Sequence, residues 1–221
     1  IGDSTRLYKT ALVSGIAPKF ANVVDSWKSI NGYYGKIESL EAKFKTATVH
    51  GRRSYIGNVE QQGTSYPDRM LKSKVNCFDV FPNIDSVVDV AIRDGESIVK
   101  LESYADRILQ FKEKTLYIVN ISENVAFLES THKYKGIGYP YHSVMTDDGA
   151  VWINEYGVFH FNGQEINNLL IKRNRYVVSD ATWASFMKDG VDGSSDDANM
   201  SSAMIGYVPK QNQVIIKNEN K

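Results

Sequence analysis

Short runs of β-branched and aromatic residues recur along the chain, and turn dipeptides that contain glycine separate them. The clearest series runs from Ser143 to Phe161, where Asp148-Gly149 and Tyr156-Gly157 divide three apolar segments. Val, Ile, Tyr, Phe and Trp fit the half-buried face of a pleated sheet, and Asp-Gly tolerates the positive φ angles of tight hairpin turns. The pattern therefore predicts an all-β fold built from antiparallel strands.

Four further hairpins follow from the same signals. Their predicted strands are 47–50 with 54–59, 87–92 with 97–101, 107–111 with 115–121, and 204–207 with 213–217. One short helix is predicted near residues 180–188, because Ser179 and Asp180 are favourable N-cap residues and Gly190 ends the apolar pattern.

Three segments repeat one form, an apolar strand followed by a polar turn and a second apolar strand. They are 105–119, 143–161 and 204–216. Their spacings of about 40 and 60 residues bracket the ~40–50 residues of a β-propeller blade, which is a four-stranded antiparallel sheet. We expect propeller-like blades over residues 46–221, either four to five blades or part of a larger propeller, with a β-sandwich as the alternative. Residues 1–45 are less strand-like and are expected to belong to a neighbouring domain.

The charge balance and the cysteine count exclude several classes of protein. The chain has 26 basic and 26 acidic residues, whereas a dedicated nucleic-acid binder usually has a basic excess. Its single cysteine, Cys77, excludes an internal disulfide framework and a four-cysteine zinc site, and is predicted to be a buried thiol. No apolar run approaches the ~20 residues that a membrane-spanning helix needs.

One turn comes close to a motif of sialidase-type propellers, the pattern Ser/Thr-x-Asp-x-Gly-x-x-Trp. The segment from Thr146 to Trp152 lacks one residue between Asp148 and Gly149, so its spacing does not match. A plain Asp-Gly hairpin with Trp152 in the core is therefore favoured.

No metal or other cofactor is expected. Residues 189–197 place Asp189, Asp192, Asp196 and Asp197 in one Gly- and Ser-rich stretch, and oxygen ligands of this kind suit Ca²⁺. Their spacing does not match an EF-hand loop, so a solvated loop is favoured. The histidines lack the spacing of a metal-binding pair, and strand alternation places His160 on the solvent-facing side, opposite the two neighbouring phenylalanines.

Two basic groups and a set of tyrosines are the candidates for an interaction surface. The sequence contains no nucleophile elbow, phosphate-binding loop or dinucleotide fingerprint, so no enzymatic activity is expected. The first basic group, predicted to lie in one loop, is Arg69, Lys72 and Lys74; the second is Lys172, Arg173 and Arg175. Either group could face a nucleic acid or an acidic partner, although the neutral total charge favours solvated loops. The tyrosines suited to a protein interface are Tyr33, Tyr34, Tyr139 and Tyr141.

Three stretches carry a resemblance to a known class of protein. They are Tyr66 to Pro82, Ala105 to Lys112 and Gly149 to Val158. Together they resemble the β-propeller portions of tailed-bacteriophage structural proteins, namely tail nozzle proteins (tail tubular protein B-like) and head-closure proteins that stabilise packaged DNA. The similarity covers residues 45–217.

The resemblance implies a non-enzymatic virion protein, made in the host cytoplasm. It implies a homo-oligomeric ring around the DNA channel, in contact with other tail and portal proteins and non-specifically with DNA, with no membrane anchor. It assigns no functional residues to particular positions. The alternative is a propeller that binds a glycan or a protein through its tyrosine-rich loops. A propeller hydrolase is a third hypothesis, which rests on the near match to the sialidase turn alone.

Overall fold

The computed structural model describes residues 43–61, 64–78, 81, 86–90, 92–123, 125–173, 175–187 and 203–218. Strands dominate these ranges, which confirms the predicted β fold, and they form four-stranded antiparallel sheets. Nearly all of the predicted N-terminal segment, 1–45, and all of the Asp-rich stretch, 189–197, lie outside the described residues. No described helix is both long and apolar enough to span a bilayer.

The first sheet follows the order of the chain. Its strands are β1 (Lys43–His50), β2 (Arg53–Gln61), β3 (Thr64–Lys72) and β4 (Val87–Val88). The predicted hairpin at Gly51-Arg52 is confirmed, and both turn residues have positive φ. The register between β2 and β3 shifts between Gly57 and Val59, where Asn58 has a φ of 57°.

The second and third sheets have the same order of consecutive strands. The second contains β5 (Ile98–Tyr104), β6 (Arg107–Lys112), β7 (Thr115–Asn120) and β8 (Phe127–Lys133). The third contains β9 (Ser143–Thr146), β10 (Gly149–Asn154), β11 (Gly157–Phe161) and β12 (Ile166–Asn168). The predicted series in the third sheet is confirmed, and Trp152 is fully buried at the expected Asp-Gly hairpin.

Two short hairpins and a helix complete the described structure. They are β13 (Ile171–Lys172) with β14 (Arg175–Tyr176), α1 (Asp180–Met187), and β15 (Ala203–Val208) with β16 (Gln213–Asn218). The predicted helix is confirmed over its described residues, and the Ser179 hydroxyl accepts a hydrogen bond from the Thr182 amide at 3.1 Å.

One predicted hairpin is wrong. The strands on either side of Asp94-Gly95 lie in different sheets, because β4 pairs with β3 whereas β5 pairs with β6. The Asp94 carboxylate accepts a hydrogen bond from the Glu96 amide at 3.1 Å, a local turn that reverses the chain without pairing two strands. The pairing of Val88 with Met70 instead buries both side chains.

The chain divides into two compact units, residues 1–110 with 118–129, and residues 111–117 with 130–221. In the first unit, the first two sheets pack on each other. The shared core consists of Tyr55, Met70, Val88, Ile98, Leu101, Ile108 and Val119. Gly57 permits close approach of the sheets, since a β-carbon there would lie 3.1 Å from Leu101 Cδ1.

The core of the second unit lies between the third sheet, α1 and the last hairpin. It consists of Val151, Ile153, Val158, Leu170, Trp183, Met187 and Ala203. Phe111 packs edge-to-face on Trp152 with ring centroids 5.2 Å apart. Although the sheets have four antiparallel strands each, the described residues form neither a closed barrel nor a complete propeller, so their interpretation as blades is a proposal.

Candidate functional site

A cavity of 240 Å³ lies in the first unit, at the end of the first sheet where β1 turns into β2. One wall consists of His50, Arg53, Tyr55 and Lys72, and the other comes from the β5–β6 turn and the segment between β7 and β8. Because hairpin turns and connecting segments surround it, the cavity is lined mainly by polar side chains.

Strand register places the first wall on one face of the sheet. His50 pairs with Arg53 across the first hairpin, and Tyr55 pairs with Lys72 across β2 and β3. Arg53 and Tyr55 are two residues apart on β2, so their side chains point to the same face. Met70, further along that face, belongs to the core. The wall is therefore the polar end of a surface that is otherwise apolar and packed on the second sheet.

Hydrogen bonds fix the arginine in this wall. Arg53 Nη1 donates to the Ser73 main-chain oxygen at 2.7 Å, and the Ser54 amide donates to Ser73 Oγ at 2.9 Å. The guanidinium lines the cavity with its positive charge, and it has further N–H donors besides the one bonded to Ser73. Tyr55 is 4% exposed, and burial raises the pKa of its phenol despite the opposing effect of Arg53.

The opposite wall carries carboxylates at the rim. Asp106 lies in the β5–β6 turn with its Oδ1 atom 3.5 Å from His50 Nε2, and its main-chain oxygen accepts a hydrogen bond from the Ile121 amide at 2.9 Å. Ser122 and Glu123 continue this wall and are exposed. The cavity thus has a cationic, phenol-bearing wall and an acidic rim, an arrangement that suits a small polar ligand with an anionic end.

The described residues contain no group of three or more His, Cys, Asp or Glu side chains that could hold a metal ion. The four aspartates considered as possible calcium ligands, Asp189, Asp192, Asp196 and Asp197, lie outside the described residues.

The first predicted basic group does not form one loop. Arg69 and Lys72 belong to β3, and Lys74 follows the strand in an isolated bridge with Cys77. Arg69 and Lys72 are three residues apart, so alternation directs them to opposite faces. Arg69 forms an ion pair of 3.2 Å with Asp89 and covers the Tyr66 ring at 4.2 Å, whereas Lys72 lines the cavity. The carboxylate of Asp89 therefore offsets the charge of Arg69.

The second basic group lies on a short hairpin rather than in a loop. Lys172 pairs with Arg175 across β13 and β14, Arg173 has a φ of 51° in the turn, and all three are exposed. Ile171 pairs with Tyr176 next to them, and both of these apolar side chains are also exposed. Alternation places the two apolar side chains on one face of the hairpin and Lys172 and Arg175 on the other. The sequence analysis did not identify this exposed apolar face.

Two of the predicted tyrosines lie together. Tyr139 and Tyr141 flank Pro140 at the start of a 3₁₀ turn, and their rings stack with centroids 5.2 Å apart and planes 8° apart. Buried His142 lies edge-on to both rings. Tyr141 is 40% exposed, so one aromatic face is accessible. Tyr33 and Tyr34 lie outside the described residues.

Two single-residue predictions have different outcomes. His160 is half-buried, with Nε2 3.1 Å from the Asp148 main-chain oxygen, while Phe159 and Phe161 are buried on the other side as predicted. The prediction of a buried thiol is wrong, because Cys77 is partly exposed. It lies in the turn segment after β3, where the chain leaves the core.

Most of the cavity was not identified from the sequence. Lys72 was a candidate residue, but His50, Arg53, Tyr55 and Asp106 were not. Arg53 and Tyr55 alternate directly after a Gly-containing turn, and this spacing was the available signal that a polar group and an aromatic group share one face.

Comparison with known proteins identifies no family for this chain. No protein-family model matches the chain, and no curated protein matches it either.

Proposed function

We propose that this protein is a non-enzymatic structural component of a phage tail or head-to-tail connection, and that copies of it associate into a ring around the DNA channel. The observation that carries the association is the exposed apolar surface of the β13–β14 hairpin. The resemblance of residues 45–217 to tail nozzle and head-closure proteins supports the virion context. The sheets of four consecutive strands are the arrangement expected of propeller blades.

The hairpin surface consists of Leu169, Ile171, Tyr176 and Val177. Their exposed fractions are 46%, 39%, 56% and 65%. Single exposed apolar residues are common, but a contiguous exposed group marks an interaction site. Lys172 and Arg175 alternate with Ile171 and Tyr176 and so point to the opposite face of the hairpin. The cations therefore border the apolar face, and the complementary surface should be mainly apolar with acidic groups at its edge.

The second unit itself offers a surface of that kind. Tyr134 and Tyr156 form an edge-to-face pair with centroids 5.2 Å apart, and they are 58% and 48% exposed. A hydrogen bond to Glu155 is the largest cause that raises the pKa of Tyr156, so a carboxylate lies beside the rings. An aromatic and acidic surface complements the apolar and basic hairpin.

We infer that the hairpin surface of one copy contacts this tyrosine pair of the next. A contact between two different surfaces is heterologous, and it forms a ring if the rotation between subunits closes. Residues of the basic group that remain outside the contact would be available to the phosphates of DNA in the lumen, which requires no basic excess in the whole chain.

The test is the molar mass of the full chain by light scattering as a function of concentration, with electron microscopy of the same samples. We expect rings for the native protein and monomers for Ile171→Ser/Tyr176→Ser. The matched control is Met204→Ser/Ile215→Ser, which removes two apolar side chains that are 42% and 53% exposed on the last hairpin. A native protein that stays monomeric up to about 100 μM, or hairpin variants that assemble like the control, would contradict the proposal.

The stacked tyrosines favour one second candidate, a module that binds a glycan or a protein. The exposed face of Tyr141 could stack on the apolar face of a sugar, and Tyr139 and His142 hold its ring in place. The test is a glycan array with the native protein and Tyr141→Ala. Signals that disappear in the variant would support this candidate, and an array without signals would eliminate a glycan ligand.

A further inference from the structure

The polar end of the first sheet forms a partly open site of defined chemistry, and this site plays no part in the proposed subunit contact. The cavity belongs to the first unit, whereas the hairpin surface and the tyrosine pair belong to the second. We propose that the cavity binds a small phosphorylated sugar, with the phosphate on Arg53, Tyr55 and Lys72 and the sugar hydroxyls directed to the carboxylates of the rim.

The first wall suits a tetrahedral oxyanion. It combines a guanidinium, an ammonium and a phenol on one face of adjacent strands, and register keeps these groups next to each other. A guanidinium offers several N–H donors in a fixed fork, and an ammonium adds a compact positive charge. The phenol of Tyr55 is protonated at neutral pH, as that of any tyrosine is, and burial raises its pKa further, so it can donate to a phosphate oxygen.

The position of Arg53 is fixed before a ligand binds. Its Nη1 atom is held by the Ser73 main-chain oxygen at 2.7 Å, and Ser73 is itself fully buried and bonded to the Ser54 amide. An anion would therefore not have to order this side chain, which reduces the entropic cost of binding.

The rim explains why the ligand should be more than a bare anion. Asp106 and Glu123 would repel a free phosphate at the entrance, but carboxylates accept hydrogen bonds from sugar hydroxyls. Ser122 also lines the cavity, and its Oγ donates to Asn120 Oδ1 at 2.6 Å, so the serine oxygen can accept a hydrogen bond as well. A volume of 240 Å³ limits the ligand to a small molecule or to the end of a larger one.

Titration calorimetry of the full chain with ribose 5-phosphate tests the proposal. We expect saturable binding at one site per chain, binding of inorganic phosphate that is weaker by about tenfold, and no binding of ribose. Lys72→Gln and Tyr55→Phe should each weaken ribose 5-phosphate by about tenfold, since each removes one hydrogen bond to a charged group. The matched control is Lys45→Gln, which removes an exposed lysine of β1 and should bind like the native protein.

The source of the phosphate is distinguished by a second titration, with a short single-stranded oligonucleotide that carries a 5′-phosphate. Competition between this oligonucleotide and ribose 5-phosphate would assign the site to a strand end, and binding of ribose 5-phosphate alone would assign it to a free metabolite. Both results support the site. The proposal is overturned if ribose 5-phosphate gives no saturable heat up to about 10 mM, or if circular dichroism shows folded Lys72→Gln and Tyr55→Phe proteins that bind it as tightly as the control. Equal affinity for inorganic phosphate would overturn the role of the rim.

Discussion

The indole Nε1 of Trp183 donates a hydrogen bond of 2.8 Å to the main-chain oxygen of Asn154, and this bond ties α1 to the end of β10. The Asn154 side chain donates in turn to the main-chain oxygens of Tyr134 and Gly136, at 3.0 and 2.9 Å. Asn154 is 4% exposed, so it joins three segments of the second unit at a buried point.

Replacement of Asn154 by Ala should destabilise the protein by about 2–4 kcal/mol, because it leaves two main-chain oxygens without their donor in a buried place. Trp183→Phe keeps most of the ring but removes the single hydrogen bond, so it should cost less. Urea unfolding followed by circular dichroism measures both. An Asn154→Ala protein as stable as the native one would show that water replaces the amide donors.

Gly149 cannot be replaced without a change in the third sheet. Its φ is 135°, and a β-carbon there would lie 2.0 Å from the Phe161 main-chain oxygen. Gly95 also has a positive φ, 82°, but nothing lies within 4 Å of the corresponding position. We expect Gly149→Ala to lower the free energy of unfolding by more than about 3 kcal/mol and Gly95→Ala by about 1 kcal/mol. Similar losses in the two variants would mean that backbone strain, rather than the steric overlap, dominates at Gly149.

The stability of the protein should decrease in mild acid in part because of His132. Burial, and then the charge of Lys135, lowers the pKa of this imidazole in the folded state below its ordinary value. As the pH falls, the imidazole is therefore protonated in the unfolded chain before it is protonated in the folded protein. The contribution of His132 to stability is complete above its pKa in the unfolded chain, and it is lost as the pH falls from there to its pKa in the folded protein. Thermal unfolding of the native protein and of His132→Gln should differ more in stability at about pH 7.5 than at about pH 5. Parallel pH profiles would contradict this assignment.

Lys135 should be responsible for part of the lowered pKa of His132. Its Nζ atom lies 3.5 Å from the centroid of the Phe159 ring, and burial lowers its own pKa. Lys135→Met removes the repulsion while keeping the aliphatic contact, so it should raise the pKa of His132 without restoring it fully, since burial remains. A proton NMR titration of the imidazole measures this shift. Lys133→Met, next to His132 in sequence but exposed, is the control and should leave that pKa unchanged.

The strands that could be predicted from the sequence are those joined by hairpin turns of distinctive composition. In the third sheet, Asp148-Gly149 and Tyr156-Gly157 mark both hairpins, and the apolar residues between them are continuous. Strand β3 was missed because it contains Pro67 and several charged residues, which are rare in the interior of a sheet. The structure accommodates Pro67 beside the register shift at Asn58, where the ladder is already interrupted.

The cavity was harder to predict than the strands. Its walls come from the first hairpin, the end of β3, the β5–β6 turn and the segment between β7 and β8, which are distant in sequence. Nothing local to Asp106 indicates that it lies 3.5 Å from His50. Only the packing of the first sheet on the second brings these groups together. The alternation of Arg53 with Tyr55 indicated a shared face, but not that a second sheet would cover it.

Each of the three four-stranded sheets is made from one continuous stretch of the chain, and this has a consequence for biosynthesis. Most neighbouring strands are joined by short connections, so their pairing closes a small loop at low entropic cost; the exception is the pair β3 and β4, which residues 73–86 separate. During translation, a sheet can form its hairpins as soon as its own strands have left the ribosome, before the next sheet has been made. The first sheet must nevertheless wait for Ile108 and Val119 before its apolar face is covered. We expect the nascent chain to be most prone to aggregation in that interval.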